Sequence, residues 1–278
     1  MTFTKDQMQF LTLNSGQQIH RLGLGVYKVA PEVAVNTVRS ALDIGYRRVD
    51  TAALYQNEAE VGMAIRQSGV ARNELFVTTK IWNDRQGYNE ALAAIDESLE
   101  KLNIEYIDML LVHWPCPAQD KYLETWKAFE TAVQSGRVLG IGVSNFEPAH
   151  LDRLVSESET VPALNQVELH PSLQQHAVRE ANTRHGVATE AWSPLGRGLY
   201  TESASIQAIA DKHGNTLAQV IIRWHLQIGN LVIPKTTHPE RLLENISVFD
   251  FDLDSEDMVA IAEMDAGTRI GPNPNEFG

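Results

Sequence analysis

The chain has 278 residues, 43% of them hydrophobic and 21% charged, with a formal net charge of −13, a composition that suits a globular protein with a large core. The negative balance argues against nucleic acid or an anionic membrane as a partner, because a phosphate backbone selects for clustered Lys and Arg. The single cysteine, Cys116, excludes an intrachain disulfide and suits a reducing cytosol, and no apolar stretch approaches the roughly 20 residues needed to cross a bilayer.

The opening "MTFTKDQMQF" has no basic region followed by an apolar run, so it is not expected to be a secretory signal. Next, "QFLTLNSGQQIHRLG" reads as a hairpin turning at Asn14–Gly16, placed to close the floor of whatever follows. From there short β-branched runs alternate with longer amphipathic stretches. Strands are expected at 21–27, 46–52, 75–81, 107–114, 138–145, 163–169, 187–193 and 230–235. Helical patterns include "PEVAVNTVRSALDIG", whose Val33, Val35, Val38, Leu42 and Ile44 fall mostly on one face, then "NEALAAIDESLEKLN", "YLETWKAFETAVQSG", "PAHLDRLVSESE", "SASIQAIADKHG" and "TLAQVIIRWHLQIG". "NEAEVG" (57–62) begins a further one.

Strands alternating with helices imply parallel strands joined by right-handed crossovers. An open doubly wound sheet should show G-x-G-x-x-G in its first strand-to-helix turn. "GLGVYK" (23–28) and "GIGVSN" (140–145) both lack the third glycine, and their glycine pairs read instead as sites of close packing. The expected fold is therefore an α/β (β/α)8 barrel over one domain, 1–278, with an N-terminal β-hairpin closing its floor.

In such a barrel the chemistry sits at the C-terminal strand ends. Those ends here are Asp50, Lys80, His113, Ser144 with Asn145, Gln166, Trp192 and Lys235. Any one would be a dull surface residue, but their recurrence on nearly every strand points to a shared pocket. Tyr55, in the loop after Asp50, is placed to lean back over the mouth. A phenol of pKa about 10 exchanges protons poorly at neutral pH, and an ammonium in reach favours its phenolate. Lys80 is the candidate ammonium and Asp50 the carboxylate that keeps it charged. His113 can hold a carbonyl oxygen beside Tyr55, so the set is suited to protonating an oxygen as something adds to its carbon. Ser144, Asn145, Gln166 and the flat face of Trp192 suit a carboxamide-bearing aromatic ring such as nicotinamide. Lys235, Thr236 and Arg241 around a helix start suit a phosphate.

The segments "GYRRVDTAALYQNEAEVG", "LFVTTKIWN", "YIDMLLVHWP", "VLGIGVSNF", "LNQVELHP", "AWSPLGRG" and "IPKTTHPERLLEN" together resemble the aldo-keto reductase family over essentially the whole chain. The likeness is closest to its prokaryotic branch of 2,5-diketo-D-gluconate and methylglyoxal reductases. The resemblance implies NADPH (NADP+) as cofactor and a small-molecule carbonyl as substrate, handled by a cytoplasmic monomer. It implies a catalytic tetrad of Asp50, Tyr55, Lys80 and His113, with Tyr55 as proton donor. Ser144, Asn145 and Gln166 would hold the carboxamide, and Trp192 would stack on the ring. Leu195 would join the cofactor site, Lys235, Thr236 and Arg241 would take the 2′-phosphate, and Glu244 and Asn245 would reach the adenine. Tyr27, Trp82 and Trp114, with His113, would line the substrate pocket. Arg48 is bulkier than the usual residue two before the aspartate and is expected to point outward, between barrel and helix. The short segment "LGRGLYTESASI" suggests an open pocket.

Other readings are a Schiff-base role for Lys80, a metal site of His113, His170 and Asp50, and a redox-sensing subunit without turnover. His170, before Pro171, is expected to be structural.

Overall fold

The computed structural model describes residues 9–278; the opening stretch read against a secretory signal lies, through residue 8, outside them. The hairpin is present as β1 (Phe10–Thr12) and β2 (Gln18–His20), antiparallel, with Gly16 in the left-handed region at φ 84°. It is followed by β3 (Leu24–Gly25), β4 (Arg48–Asp50), β5 (Phe76–Ile81), β6 (Met109–Val112), β7 (Ile141–Ser144), β8 (Leu164–Glu168), β9 (Ala188–Trp192) and β10 (Leu231–Val232). These lie side by side in chain order, each parallel to the next.

The ring closes where the last strand meets the first. Gly23 N–H donates to the Val232 carbonyl at 2.9 Å, Val232 N–H to Arg21 at 2.8 Å, and Gly25 N–H to Pro234 at 3.1 Å. The outer strands β3 and β10 are shorter than the runs 21–27 and 230–235 suggested. Pro234 has no N–H, so at that position the chain can only accept.

The helices are α1 (Pro31–Ile44), α2 (Glu58–Gln67), α3 (Tyr88–Leu102), α4 (Tyr122–Gln134), α5 (Pro148–Glu157), α6 (His176–Arg184), α7 (Ala204–His213), α8 (Leu217–Gln227), α9 (Pro239–Ile246) and α10 (Ser255–Ala262). Most lie within a residue or two of the sequence patterns. The α6 helix had escaped notice because "HAVREANTR" is mostly polar: it buries only Val178, Ala181 and Asn182. A capping box between Asp254 and Asp257 starts α10.

Strand alternation sorts side chains onto two faces. Outward residues such as Val49, Val77, Leu110, Val112 and Val143 join the helices in the main apolar core. At the floor, Leu13 and Ile19 of the hairpin pack with Phe76, Met109, Leu111, Leu164 and Leu231. The hairpin therefore plugs the barrel with apolar bulk, as its position suggested.

The glycine pairs take up their expected packing role. A Cβ on Gly142 would come within 2.7 Å of the Leu164 carbonyl and 2.8 Å of Leu111, and one on Gly23 would lie 3.0 Å from Arg48 Cγ. The second contact also corrects the reading of Arg48. It shares a strand face with Asp50, two residues on, so where Asp50 points into the barrel Arg48 must too. It is 0% exposed and ion-paired to Glu190 of β9 inside the barrel.

Candidate active site

The C-terminal strand ends surround a cleft of about 430 Å³. Asp50, Tyr55, His113, Ser144, Asn145, Gln166, Trp192, Leu195 and Lys235 line it, as do Tyr27, Trp82 and Trp114. Lys80 lies just beneath, fully buried. Thr236, Arg241, Glu244 and Asn245 are not in the lining: they occupy the segment entering α9 and α9 itself. There the Thr236 hydroxyl accepts the His238 N–H at 3.2 Å, Glu244 accepts the Thr216 hydroxyl at 2.7 Å, and Asn245 is buried.

At the base of the cleft, Lys80 Nζ donates to Asp50 Oδ1 at 2.5 Å, to the Thr51 carbonyl at 2.8 Å and to Tyr55 Oη at 3.3 Å. Two features bring Tyr55 back over the strand end. Residues Ala53–Tyr55 form a 3-10 turn, and Gln56 follows in the left-handed region at φ 55°. Asn57 then ties this loop to the barrel, donating to the Val26 and Val29 carbonyls at 3.0 Å each while accepting the Thr51 hydroxyl at 2.8 Å. The spacing of Asp50 and Tyr55 is thus set by a turn with its own hydrogen-bond anchor.

Burial, the Asp50 carboxylate and Tyr27 together push the Tyr55 phenol well above its ordinary range. Lys80 sits where the sequence suggested, yet burial outweighs its pull toward phenolate. The group is consequently a phenol that holds its proton, an acid awaiting a base. Burial lowers the Lys80 ammonium, against Asp50, which raises it. His113 is pushed well below the ordinary histidine range by burial and by Lys80. It is therefore neutral at physiological pH and offers an N–H without a charge.

The Tyr55 ring meets His113 edge-on with centroids 5.9 Å apart, and Trp82 meets His113 at 4.9 Å. Across the cleft, Asn145 Nδ2 donates to the His113 carbonyl at 2.9 Å and to Ser144 Oγ at 3.0 Å, while its Oδ1 accepts Trp192 Nε1 at 2.8 Å. Asn145, itself at φ 63°, thereby holds the indole in one orientation. Gln166 Nε2 is committed to two carboxylates, Asp50 at 2.7 Å and Glu190 at 2.8 Å.

Several lining residues were not foreseen, among them Leu54, Arg197, Pro272 and Phe277. Phe277 stacks obliquely on Trp114 at 4.6 Å and on Trp82 at 6.2 Å, completing the aromatic wall. The tail carrying it is fastened by Glu168, whose two oxygens accept the Ile270 N–H at 2.6 Å and the Gly271 N–H at 2.8 Å. Burial alone would raise the Glu168 carboxyl; bonds from His170 and these two N–H groups outweigh it and hold it below its ordinary value. His170 is buried between Glu168 and the Tyr200 hydroxyl, in keeping with a structural role. Period-two alternation from Gln166 and Trp192 could have found Glu168 and Glu190, since each pair shares a strand face. The tail "IGPNPNEFG" resembles the same family branch, but no strand or helix pattern in it assigned Phe277 to the pocket.

Two alternative readings gain no support. Lys80 does not itself line the cleft, its ammonium being taken up by Asp50, Thr51 and Tyr55, and among the described residues no three His, Cys, Asp or Glu side chains form a metal-ligand cluster. Nor is any helix among the described residues long and apolar enough to cross a membrane.

Comparison with known proteins places these features in context. The model of the aldo/keto reductase family matches residues 20–266. An aldo-keto reductase of Mycolicibacterium smegmatis is 49% identical over 267 residues, covering 96% of this chain and 97% of its own. The methylglyoxal reductase DkgA of Salmonella typhimurium is 45% identical over 271 residues, covering 96% and 98%. Among solved structures, a mutant of Gox0644 in complex with NADPH superposes with a TM-score of 0.92 at 47% identity, covering 96% of this chain and 97% of that one.

Proposed function

The chain belongs to the aldo/keto reductase family, and from that premise we propose that it reduces small aldehydes and ketones with NADPH, Tyr55 being the proton donor. The class is an NADP-dependent oxidoreductase acting on carbonyls. Within it we place α-keto aldehydes, diketo sugar acids and keto esters as substrates, on the strength of a compact cleft walled by aromatics. One observation carries the reading: a half-buried phenol that retains its proton, 3.3 Å from a lysine locked to an aspartate, at the base of that cleft.

The residues fit a nicotinamide. The Gln166 nitrogen is spent on two carboxylates, so the acceptor oxygen is the end left for a carboxamide N–H. Trp192 is fixed by Asn145 with its ring on the cleft. Ser144, Asn145, Gln166, Trp192 and Leu195 would hold the nicotinamide end, with Lys235, Thr236 and Arg241 taking the phosphate and Glu244 and Asn245 the adenine. When bound, the nicotinamide supplies the hydride that a carbonyl carbon accepts. His113, neutral, donates its N–H to the carbonyl oxygen and orients it. Tyr55 passes its proton to that oxygen, and the Lys80 ammonium stabilises the phenolate left behind. Asp50 keeps Lys80 in place. Trp82, Trp114, Phe277 and Tyr27 exclude water and grip the substrate body. We read residues 1–278 as one catalytic domain working as a cytoplasmic monomer.

The deciding experiment is a carbonyl panel assayed with NADPH and NADH in parallel. Small α-keto aldehydes and keto esters should consume NADPH, with NADH clearly poorer. A panel in which no carbonyl consumes NADPH would sink the reading. The tail supplies a second test. Glu168→Gln turns one acceptor into an amide donor facing the Ile270 and Gly271 N–H groups, so Phe277 loses its seat. KM for the carbonyl should rise about tenfold, the weight of ~1.4 kcal/mol, with kcat changed less; an unaltered KM would show that the tail does not form the substrate wall.

A further inference from the structure

Inside the barrel, one layer below the tetrad, lie two charged side chains with no part in the mechanism above. Arg48 sits two residues before Asp50 on β4, and Glu190 two before Trp192 on β9. Both are 0% exposed, and they pair with each other. Arg48 Nη1 also donates to the His20 carbonyl of the floor hairpin at 2.9 Å. Glu190 Oε2 accepts Gln166 Nε2 at 2.8 Å, and that same nitrogen donates to Asp50 Oδ2 at 2.7 Å. The other Asp50 oxygen takes the Lys80 ammonium, which reaches Tyr55. The contacts run unbroken from the floor hairpin to the acid: Arg48, Glu190, Gln166, Asp50, Lys80, Tyr55.

Two physical consequences follow from this order. An amide presents its nitrogen to carboxylates and its oxygen elsewhere. Glu190 and Asp50 together therefore leave Gln166 only one orientation, with the acceptor oxygen free. The second consequence concerns charge. A buried carboxylate raises the proton affinity of its neighbours, and a buried guanidinium lowers it. As a pair, Arg48 and Glu190 add no net charge beneath the tetrad; either one alone would.

We propose that Arg48 and Glu190 are positioning residues of the reduction, acting through Gln166 and Asp50 to fix the carboxamide acceptor and to set the pH at which Tyr55 loses its proton. The inference rests on the reductase reading. The charged and titratable groups facing Tyr55 and Lys80 are Arg48 and Asp50 from β4, Glu58 from α2, His113 just after β6 and Tyr27 from the loop after β3. Glu190 faces Arg48 and Gln166, and Arg48 in turn acts on His20 of the hairpin. Arg48 also weakens the Lys80 proton at a distance, so it is within electrostatic reach of the lysine that contacts the acid.

Carbonyl reduction should fail at high pH as Tyr55 deprotonates. Glu190→Gln keeps the volume but leaves the Arg48 cation uncompensated, so that basic limb of kcat/KM should move down by about one pH unit. Adding Arg48→Met removes the orphan charge and should return the limb to within about 0.3 unit of the parent. A purely structural pair would lower stability and the height of the profile without moving the limb one way and then back. A limb unmoved in Glu190→Gln, or still displaced in the double variant, overturns the proposal. Should Glu190→Gln fail to fold, Glu190→Asp decides. It keeps the charge but retracts the carboxylate from Gln166, so the limb stays while Kd for NADP+, read by tryptophan fluorescence, rises severalfold; an unchanged Kd counts against the proposal. A parent chain that reduces no carbonyl would sink the reductase reading and this inference with it, whereas an active parent with unmoved variants sinks the inference alone.

Discussion

Tyr55→Phe is expected to fold, to bind NADPH with near-parental affinity, and to lose turnover by about 10²–10⁴, the usual worth of a positioned general acid. The substitution removes one hydroxyl. That hydroxyl meets Lys80 at 3.3 Å, an ammonium already satisfied at 2.5 Å by Asp50 and at 2.8 Å by Thr51. The ring stays packed between Tyr27 and His113. Stability should therefore fall little. The measurement is single-turnover reduction beside nucleotide binding by fluorescence. Retention of more than about a tenth of the parental rate would show that the proton comes from elsewhere, with neutral His113 the next group in line.

Lys80→Met should be costly in two currencies at once, stability and rate. It strips a fully buried carboxylate of its cation, and breaking such a pair from one side costs about 3–5 kcal/mol because the surviving charge is stranded. Turnover should collapse as well, since the phenolate left at Tyr55 would lose its counter-charge. The double variant Asp50→Asn/Lys80→Met separates the two effects. With no stranded charge it should recover much of the lost stability, read from urea midpoints, while remaining as slow as the single variant. If the double variant recovered activity together with stability, the lysine would be a structural element only.

These expectations rest on residues that are legible in the amino-acid sequence. The short β-branched runs and the polar residue closing each of them located Asp50, Lys80, His113, Gln166 and Trp192 at one mouth, because a barrel makes strand ends converge. Tyr55 was placed by its distance from Asp50, and a five-residue loop left few alternatives. Arg48 was misjudged by treating its size and charge as reasons to face solvent. The same alternation that aimed Asp50 inward required Arg48 to follow, and Glu190 was waiting for it across the barrel. The direction of the Tyr55 shift was misjudged too: proximity to Lys80 was legible, but the burial that outweighs it depends on residues distant in sequence. Phe277 belongs to the same category. Its place on Trp114 depends on a tail crossing the mouth, which no local pattern encodes. The α6 helix was missed because its packing uses the buried amide of Asn182, bonded to Asn165 and Thr189, where an apolar stripe would ordinarily announce a helix.

The fastening of the tail bears on how such an enzyme acquires new substrates. On the tail, Glu168 meets main-chain N–H groups, at Ile270 and Gly271, and every amino acid but proline offers the same donor. Gly271 itself is constrained, since a Cβ there would strike Trp192 at 2.5 Å. Downstream of that point the anchor places no demand on side-chain identity. Residues such as Phe277 can therefore be exchanged through mutation and selection while the anchor holds and the barrel core is untouched. The catalytic layer and the selective layer are thus joined by a fixture indifferent to sequence, which lets one drift while the other stays still.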